Sequence, residues 1–253
     1  MAPYLSVVIP AFNEETNLLG GALQKVAAYL DQQPYLYEAL VVDDGSEDAT
    51  AALVEGFVSQ HPRFRLLRNP HRGKAHTVIS GVLAAEGQIV LFTDMDQATP
   101  IAEVAALLPW FEQGYDVVFG SRGTVRRGAP WWRQLMSRAM IVLRGLIVGL
   151  PNITDTQCGF KAFRREAARE IFAHMHLYAP GQGQEVRGAV VAAGFDVETL
   201  FVARKLGYRI REVPVTWDYA RTRRVSFWRD SVRSLRDLGR IRLNDLLGRY
   251  TAR

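Results

Sequence analysis

The chain has 253 residues, of which 48% are hydrophobic and 23% are charged. This composition suits one large α/β domain with a sizeable core, and it excludes a disordered chain and an integral membrane protein. Cys158 is the only cysteine, which excludes an internal disulfide framework and favours a reducing compartment. The best candidate for a membrane span, residues 139–150, is too short to cross a bilayer and contains Arg144. Because no secretory leader is recognisable either, we expect a cytoplasmic protein that contacts a membrane only peripherally.

The net charge of +5 conceals two strongly basic segments. Residues 117–154 contain six arginines and no acid, and residues 221–253 contain ten arginines and only three acids. An ordinary solvated surface would mix the two signs, whereas concentrated positive charge suits phosphate groups, an anionic membrane surface or nucleic acid. Nucleic acid is disfavoured because the chain carries no recognisable nucleic-acid-binding motif.

The first half of the chain alternates short apolar runs with segments of helical periodicity. The apolar runs predict strands at residues 5–10, 39–43, 64–67, 89–94 and 116–120. The periodic segments predict helices at residues 18–30, 49–58 and 77–85. Nearly continuous apolar strands separated by helices are typical of a mostly parallel sheet that is covered on both faces.

The second half is less regular. It predicts helices at residues 164–174 and 197–206, a strand at residues 210–217 and a long loop at residues 178–188. Residues 226–253 predict a basic amphipathic helix with an apolar stripe formed by Trp228, Val232, Leu235, Leu238 and Leu246. Such a stripe either packs on its own domain or lies on an anionic bilayer.

Polar residues follow four of the predicted strands directly. They are Asn13-Glu14-Glu15, Asp43-Asp44-Gly45-Ser46, Arg72-Gly73-Lys74 and Asp94-Met95-Asp96. Because ligands of parallel α/β sheets bind beyond the carboxyl ends of the strands, we expect these groups to converge on one ligand site.

Asp94 and Asp96 form the most informative pair. Two carboxylates at the end of a buried strand are costly unless a cation accompanies them, and Mg²⁺ or Mn²⁺ commonly bridges carboxylates to diphosphate oxygens. The alternative is that Asp94 caps the following helix and Asp96 is an ordinary surface acid. The position after an apolar strand, beside other polar loops, favours the metal.

The other two loops also allow two interpretations. Asp43-Asp44-Gly45-Ser46 is compatible with a turn and a helix cap, although one of two successive acids could accept hydrogen bonds from a base or a ribose hydroxyl. Arg72 and Lys74 are either solvated loop charges or groups that steady a departing diphosphate, with Gly73 allowing the backbone to approach it.

Read together, the segments VVIPAFNEE, VVDDGSEDAT, NPHRGKA, FTDMD, FGSR and DTQCGFKAF resemble those of glycosyltransferase family 2, which has the Rossmann-like GT-A fold. With FDVE and EVPVTW downstream, the resemblance is strongest to the dolichyl- and polyprenyl-phosphate sugar synthases, especially the dolichyl-phosphate β-glucosyltransferases. The resemblance implies one GT-A domain over residues 1–225, with a nucleotide-sugar half at about 1–120 and an acceptor half at about 121–225. The amphipathic helix of residues 226–253 would follow it.

The resemblance also implies a role for individual residues. The nucleotide sugar would be surrounded by Pro10, Phe12, Glu14, Asp43, Asp44, Lys74 and Asp94. Mg²⁺ or Mn²⁺ would be held by Asp94, Asp96 and Gln97. The acceptor phosphate would be held by Arg122, Arg133 and Ser137. The groups expected to act in catalysis are Asp96, Lys74, Arg122 and Arg133.

Two residues depart from the family pattern. Ala75 stands where a second glycine is frequent, and Gly159 stands where some relatives have an acid proposed as a base. A lipid monophosphate is mostly a dianion at neutral pH, so it requires positioning by arginines and no general base. A hydroxyl acceptor would require a base, for which Asp155, Asp196 and Glu198 are the candidates.

These observations predict an inverting, metal-dependent glycosyltransferase at the cytoplasmic face of a membrane. Its expected substrates are UDP-glucose and a polyprenyl or dolichyl phosphate. The alternatives are GDP-mannose as donor, or a soluble hydroxyl acceptor such as a sugar or glycerate.

Overall fold

The structure, a computed structural model, describes residues 2–123, 141–151, 153–179, 193–218 and 227–250. Its centre is one sheet built from β1 (Leu5–Ala11), β2 (Tyr37–Asp43), β3 (Phe64–Arg68), β4 (Ile89–Thr93), β5 (Val117–Ser121), β6 (Phe160–Arg164) and β7 (Ile210–Pro214). The strands lie in the order β3-β2-β1-β4-β6-β5-β7. Every neighbouring pair is parallel except for the two pairs that involve β6. The prediction of a mostly parallel sheet is confirmed.

Helices cover both faces of the sheet. They are α1 (Glu15–Leu19), α2 (Ala22–Leu30), α3 (Thr50–Val58), α4 (Lys74–Ala84), α5 (Val104–Glu112), α6 (Arg165–Ala173), α7 (Ala193–Lys205) and α8 (Phe227–Leu246). Residues 141–148 are also helical. Side chains of β1 alternate between the two faces, because Val7 and Ile9 join one hydrophobic cluster and Val8 joins the other.

Glycine decides two helix boundaries that periodicity alone misplaces. The predicted single helix at residues 18–30 is wrong, because the chain breaks between α1 and α2 at Gly21, whose φ is 79°. In the same way α4 begins at Lys74 instead of residue 77, directly after Gly73 with a φ of 88°. Glycine takes such angles at little steric cost, whereas other residues rarely do.

Strand β6 is the main element that the sequence analysis missed. Its run Phe-Lys-Ala-Phe-Arg places a charged residue inside an apolar segment, which hides it as a strand. The structure inserts it antiparallel between β4 and β5, with Thr93 opposite Phe160. The start of β6 therefore lies at the same edge as the ends of β4 and β5.

Helix α8 packs on its own domain with only part of the predicted stripe. Leu238 and Ile241 are buried in the same cluster as residues of α7, whereas Leu235 and Leu246 are 41% and 69% exposed. The side chains of Trp228 and Val232 and the predicted boundary at residues 225 and 226 lie outside what the structure describes. Within the described residues, no helix combines the length and apolarity needed to span a bilayer.

Gly81 should be a critical packing position, because α4 crosses β1 and β2 there. A β-carbon at Gly81 would overlap the side chain of Val8 and lie 2.8 Å from Cγ2 of Val42. We expect Gly81→Ala to lower the free energy of unfolding by about 1–3 kcal/mol, as overpacking of a core does. Chemical denaturation would measure it.

Gly56 of α3 provides the matched control, since a β-carbon there would meet nothing within 4 Å. Gly56→Ala should raise the free energy of unfolding by about 0.5–1 kcal/mol, because alanine lowers the entropy cost of forming a helix. Equal effects of the two substitutions would contradict the proposed contact.

Candidate active site

The loops that follow β1 and β2 are tied together by hydrogen bonds. The backbone N–H groups of Asn13 and Glu14 donate to the hydroxyls of Ser46 (3.0 Å) and Thr50 (2.7 Å). In return the N–H of Glu47 donates to the side-chain oxygen of Asn13 at 2.9 Å. The polar residues after these two strands therefore form one rigid unit, in which Ser46 bonds across to the neighbouring loop.

Asp44 holds the loop that leads to Lys74. The residue is 2% exposed, and its carboxylate accepts hydrogen bonds from the N–H groups of Arg72 and Gly73, both at 2.9 Å. It also lies 2.8 Å from Nδ1 of His71, whose ring stacks on Phe12 with centroids 3.9 Å apart. Asp44 thus orients the backbone of this loop, while the rings of Phe12 and His71 connect it to the end of β1.

The remaining residues predicted for the nucleotide lie beside this unit. Pro10 is buried within β1, opposite Val42 of β2. Both carboxylate oxygens of Asp43 accept from the N–H of Ser46 at 3.3 Å, and Glu14 accepts from the side-chain amide of Asn17. The structure therefore brings these predicted residues together, and their contact with a nucleotide stays a prediction.

Asp94 lies between a cation and a glycine. Its Oδ1 is 2.5 Å from Nζ of Lys74, in an ion pair whose side chains are 37% and 43% exposed. On its other side, a β-carbon at Gly159 would lie 2.7 Å from Cγ of Asp94 and nearer still to Oδ2. The carboxylate of Asp94 therefore occupies the space that a side chain at residue 159 would need. An acid at that position would collide with Asp94 in its present position.

Asp96 and Gln97 complete the turn after β4. Asp96 accepts from the N–H of Ala98 at 3.0 Å. Burial raises the pKa of Asp96, and the nearby Asp94 carboxylate raises it further. The side chain of Gln97, a residue with a φ of 50°, donates to the carbonyl of Asp94 at 2.8 Å and accepts from the N–H of Ile101 at 3.1 Å. Gln97 therefore holds the turn, and its predicted role toward a metal stays untested.

The carboxylates of Asp94 and Asp96 fit a divalent cation whose ligands come partly from the protein and partly from a substrate. The described residues contain no group of three His, Cys, Asp or Glu side chains arranged to hold a metal. A cage built wholly of protein ligands is not required, because Mg²⁺ is usually bound through one or two carboxylates together with substrate phosphates and water. Asp94 and Asp96 supply such a partial set, and Lys74 beside them supplies positive charge for the phosphates.

Arg122 is held at the end of β5 by Asp155. Its Nε and Nη2 donate to the two carboxylate oxygens at 2.7 and 2.8 Å, and its backbone N–H donates at 3.0 Å. Burial raises the pKa of Asp155, but the bonds from Arg122 lower it by more, so the net pKa lies below its ordinary value. The guanidinium also lies 5.5 Å from the centre of the Trp217 ring.

The turn that carries Asp155 is itself anchored. Glu212 of β7 accepts from the N–H groups of Thr154 and Asp155, both at 2.8 Å. Arg144 donates to the hydroxyl of Thr156 at 2.9 Å. Arg122 and Arg144 therefore have their polar partners among residues 153–156. The basic run contains no acid in its own sequence, but the fold brings these partners to it. Arg133 and Ser137 lie outside the described residues.

Asp94 and Arg122 line the same open pocket. Its other lining residues include Thr93, Gly159, Gln157 and Trp217. The structure therefore places a carboxylate of the predicted metal pair and an arginine of the predicted acceptor set on one cavity.

The three acids considered as bases are engaged elsewhere. Asp155 binds Arg122, and Asp196 lies 2.6 Å from Nζ of Lys161. Glu198 is fully buried, and its Oε1 accepts from Tyr250 at 2.7 Å and from the N–H groups of residues 176 and 177. These contacts disfavour a general base among them.

Four further residues belong to the site although the sequence patterns did not predict them, namely His71, Lys161, Glu212 and Trp217. Lys161, Glu212 and Trp217 do lie within segments that carry the family resemblance, which was the available signal. His71 lies between Asn69 and Lys74 in another such segment, but nothing in its spacing indicates a ring stacked on Phe12.

Asp44→Asn should loosen the loop before Lys74 while leaving the fold intact. The neutral amide has one acceptor oxygen where the carboxylate has two, so the N–H groups of Arg72 and Gly73 cannot both keep their bonds. We expect faster hydrogen exchange of these two amides, measured residue by residue. Asp48→Asn serves as the control, because Asp48 instead bonds Glu15 and Thr50; unchanged exchange in Asp44→Asn would contradict the assignment.

Comparison with known proteins agrees with this geometry. Residues 6–172 match the family described as Glycosyl transferase family 2. A dolichyl-phosphate beta-glucosyltransferase of Dictyostelium discoideum is 34% identical over 97% of this chain and 76% of that protein.

Two solved structures share the fold. Glucosyl-3-phosphoglycerate synthase from Mycobacterium tuberculosis, in complex with Mn²⁺, UDP and glucosyl-3-phosphoglycerate, aligns over 98% of this chain and 80% of that one, with a TM-score of 0.60 and 19% identity. A mannosyltransferase from Pyrobaculum calidifontis, in complex with GDP-Man and Mn²⁺, covers 88% of this chain and 59% of that one, with a TM-score of 0.57 and 21% identity. The chain therefore belongs to glycosyl transferase family 2, and it is a glycosyltransferase with the GT-A fold.

Proposed function

We propose that this glycosyltransferase moves glucose from UDP-glucose to a polyprenyl or dolichyl phosphate, with inversion at the anomeric carbon and with a divalent cation. The observation that carries the proposal is the pocket with Asp94 on one side and Arg122 on the other. A donor diphosphate at Asp94 and an acceptor phosphate at Arg122 would then approach each other across one cavity. The name of the Dictyostelium relative supports glucose and dolichyl phosphate.

The donor half of the proposal rests on the groups around Asp94. Desolvation lowers the pKa of Lys74, but the carboxylates of Asp94 and Asp196 raise it by more, so the net pKa lies above its ordinary value. Its ammonium and the N-terminal end of α4 together favour negative charge. A divalent cation held by Asp94 and Asp96 would neutralise the diphosphate and so make it a better leaving group. The neighbours that bind Mn²⁺ support the metal, and Mg²⁺ is an equal candidate.

The acceptor half rests on Arg122 and, by resemblance, on Arg133 and Ser137. Asp155 fixes the guanidinium of Arg122 in one orientation, which reduces the entropy lost when a phosphate binds. A phosphate monoester has its second pKa near about 6, so at neutral pH it is already nucleophilic. The engagement of Asp155, Asp196 and Glu198 in other contacts therefore favours a phosphate over a hydroxyl acceptor.

A soluble acceptor is the second candidate. It is favoured by the similarity to a glucosyl-3-phosphoglycerate synthase, which covers 98% of this chain. A hydroxyl acceptor requires removal of a proton, and the three candidate bases are already in hydrogen bonds or ion pairs. GDP-mannose as donor is the corresponding alternative on the nucleotide side, supported by the Pyrobaculum enzyme.

A lipid acceptor would require the protein to lie on a membrane. Leu243, Leu246 and Leu247 at the end of α8 are 56%, 69% and 57% exposed, within a segment rich in arginine. Val142 and Leu146 of the helical residues 141–148 are also exposed. Apolar side chains surrounded by arginines are suited to the surface of an anionic bilayer.

Transfer to a short-chain polyprenyl phosphate from radiolabelled UDP-glucose tests the chemistry. Asp94→Asn and Asp96→Asn should each lower kcat/KM by about 100-fold or more, which is the scale of losing one electrostatic stabiliser of a transition state. Gly159→Ala should lower it by about 10-fold or more, because its β-carbon displaces Asp94 and such supporting contacts matter on this scale.

Gly56→Ala should keep full activity, since a β-carbon at that position would meet nothing within 4 Å. GDP-mannose and 3-phosphoglycerate, substituted one at a time in the same assay, test the two alternatives. Full transfer in EDTA would refute the role of the metal, and exclusive transfer to 3-phosphoglycerate would refute the lipid acceptor.

Membrane contact can be tested by sedimentation with vesicles of anionic lipid. Leu246→Glu should weaken binding, because it places a negative charge on the exposed apolar end of α8. Leu19→Glu is matched to it, since Leu19 is equally exposed at 69% but lies on α1. Equal binding by wild type to neutral and anionic vesicles, or equal losses in the two variants, would contradict this surface.

A further inference from the structure

Lys161 is a completely buried lysine in the middle of β6. Its side chain is 0% exposed, and its strand lies between β4 and β5, where Phe92 and Phe119 are its register partners. Lysine is almost never fully buried unless its charge is compensated, and an apolar residue in such a position often gives equal or greater stability. The retention of this charge therefore calls for an explanation beyond packing.

The ammonium of Lys161 makes three contacts. Nζ lies 2.6 Å from Oδ1 of Asp196 on α7, 2.5 Å from the backbone carbonyl of Cys158, and 5.3 Å from the centre of the Phe92 ring. The first contact compensates the charge, and the second fixes the backbone of the residue directly before Gly159.

Fixing Cys158 has a direct consequence for Asp94. The backbone of Gly159 is close enough to the Asp94 carboxylate that even one added carbon would overlap it. Lys74 contacts Oδ1 of that carboxylate at 2.5 Å. The rotamer of Asp94 is therefore restricted by Lys74 and by a backbone segment whose position depends on Lys161.

We propose that Lys161 is a positioning residue for donor binding, because its bond to the Cys158 carbonyl holds Gly159 against the carboxylate of Asp94. Asp196 is its counter-ion, at 2.6 Å. The proposal rests on the donor half of the proposed function, in which Asp94 holds the cation and the diphosphate. Lys161 itself touches neither.

Three variants separate positioning from simple stability. Lys161→Met keeps an unbranched side chain that is one atom shorter and removes its charge and donors, whereas Asp196→Asn leaves the lysine without its counter-ion. The double variant Lys161→Met/Asp196→Asn removes both charges and should fold, because replacing a buried pair as a whole is often neutral. Tm is measured for each, together with the Kd for UDP in the presence of MnCl₂ by calorimetry.

We expect Tm to fall in both single variants and to return close to the wild-type value in the double variant. The Kd for UDP with Mn²⁺ should rise by about 10–100-fold in Lys161→Met and stay raised in the double variant, since the bond to Cys158 is still missing. Should Lys161→Met fail to fold, the double variant is compared with Asp196→Asn, because the Asp196 carboxylate also acts on Lys74; a Kd no higher in the double variant than in Asp196→Asn would overturn the proposal. Recovery of both Tm and Kd in the double variant would show a purely structural role and overturn the proposal.

Lys205→Met is the control for removal of a paired lysine, because Lys205 binds Asp245 at 2.7 Å between α7 and α8. It should leave the Kd unchanged. The same titration with GDP and MnCl₂ shows whether wild type prefers the other nucleotide, in which case GDP is the probe for all variants. Failure of wild type to bind either nucleotide would refute the proposed donor, whereas wild-type binding with an unchanged Kd in the double variant would refute only the role of Lys161.

Discussion

Three ion pairs lie at the carboxyl edge of the sheet, and each connects different parts of the chain. They are Lys74–Asp94, Arg122–Asp155 and Lys161–Asp196. The pairs connect α4 with the end of β4, the end of β5 with the turn before β6, and β6 with α7. Arg122–Asp155 and Lys161–Asp196 are largely buried, and a charge removed from water is costly unless an opposite charge and hydrogen bonds accompany it. The geometry of the site follows from these mutual requirements more than from any single loop.

Asp96 belongs to none of these three ion pairs. It has no ion-pair partner among the described residues, and the Asp94 carboxylate acts on it electrostatically. An edge with balanced charges has little net attraction for a nucleoside diphosphate and a lipid phosphate together. A divalent cation supplies positive charge at the point where two carboxylates already lie, which is the physical reason that a metal fits the proposed reaction.

Much of this arrangement could be predicted from the sequence, but by unequal kinds of reasoning. The strands before Asp44, Lys74 and Asp94 are apolar runs that end in polar residues, so hydrophobic patterning and the rule for parallel sheets placed these loops at one edge. Strand β6 could not be found in that way, because a buried lysine interrupts its pattern. Pairings such as Arg122 with Asp155, across 33 positions of sequence, depend on how the strands are ordered, which local patterns do not encode.

Local patterns also fail to distinguish Asp43 from Asp44. Either could contact a nucleotide from its position after β2, and only the tertiary structure shows that the carboxylate of Asp44 accepts hydrogen bonds from the backbone of the next loop. Gly159 is a position where the sequence indicated a missing group. It stands where some relatives have an acid, but in the structure the carboxylate of Asp94 fills the space that a side chain at residue 159 would occupy. With Asp94 in this position, an acid at residue 159 would collide with it, and the phosphate dianion proposed as acceptor needs no base there.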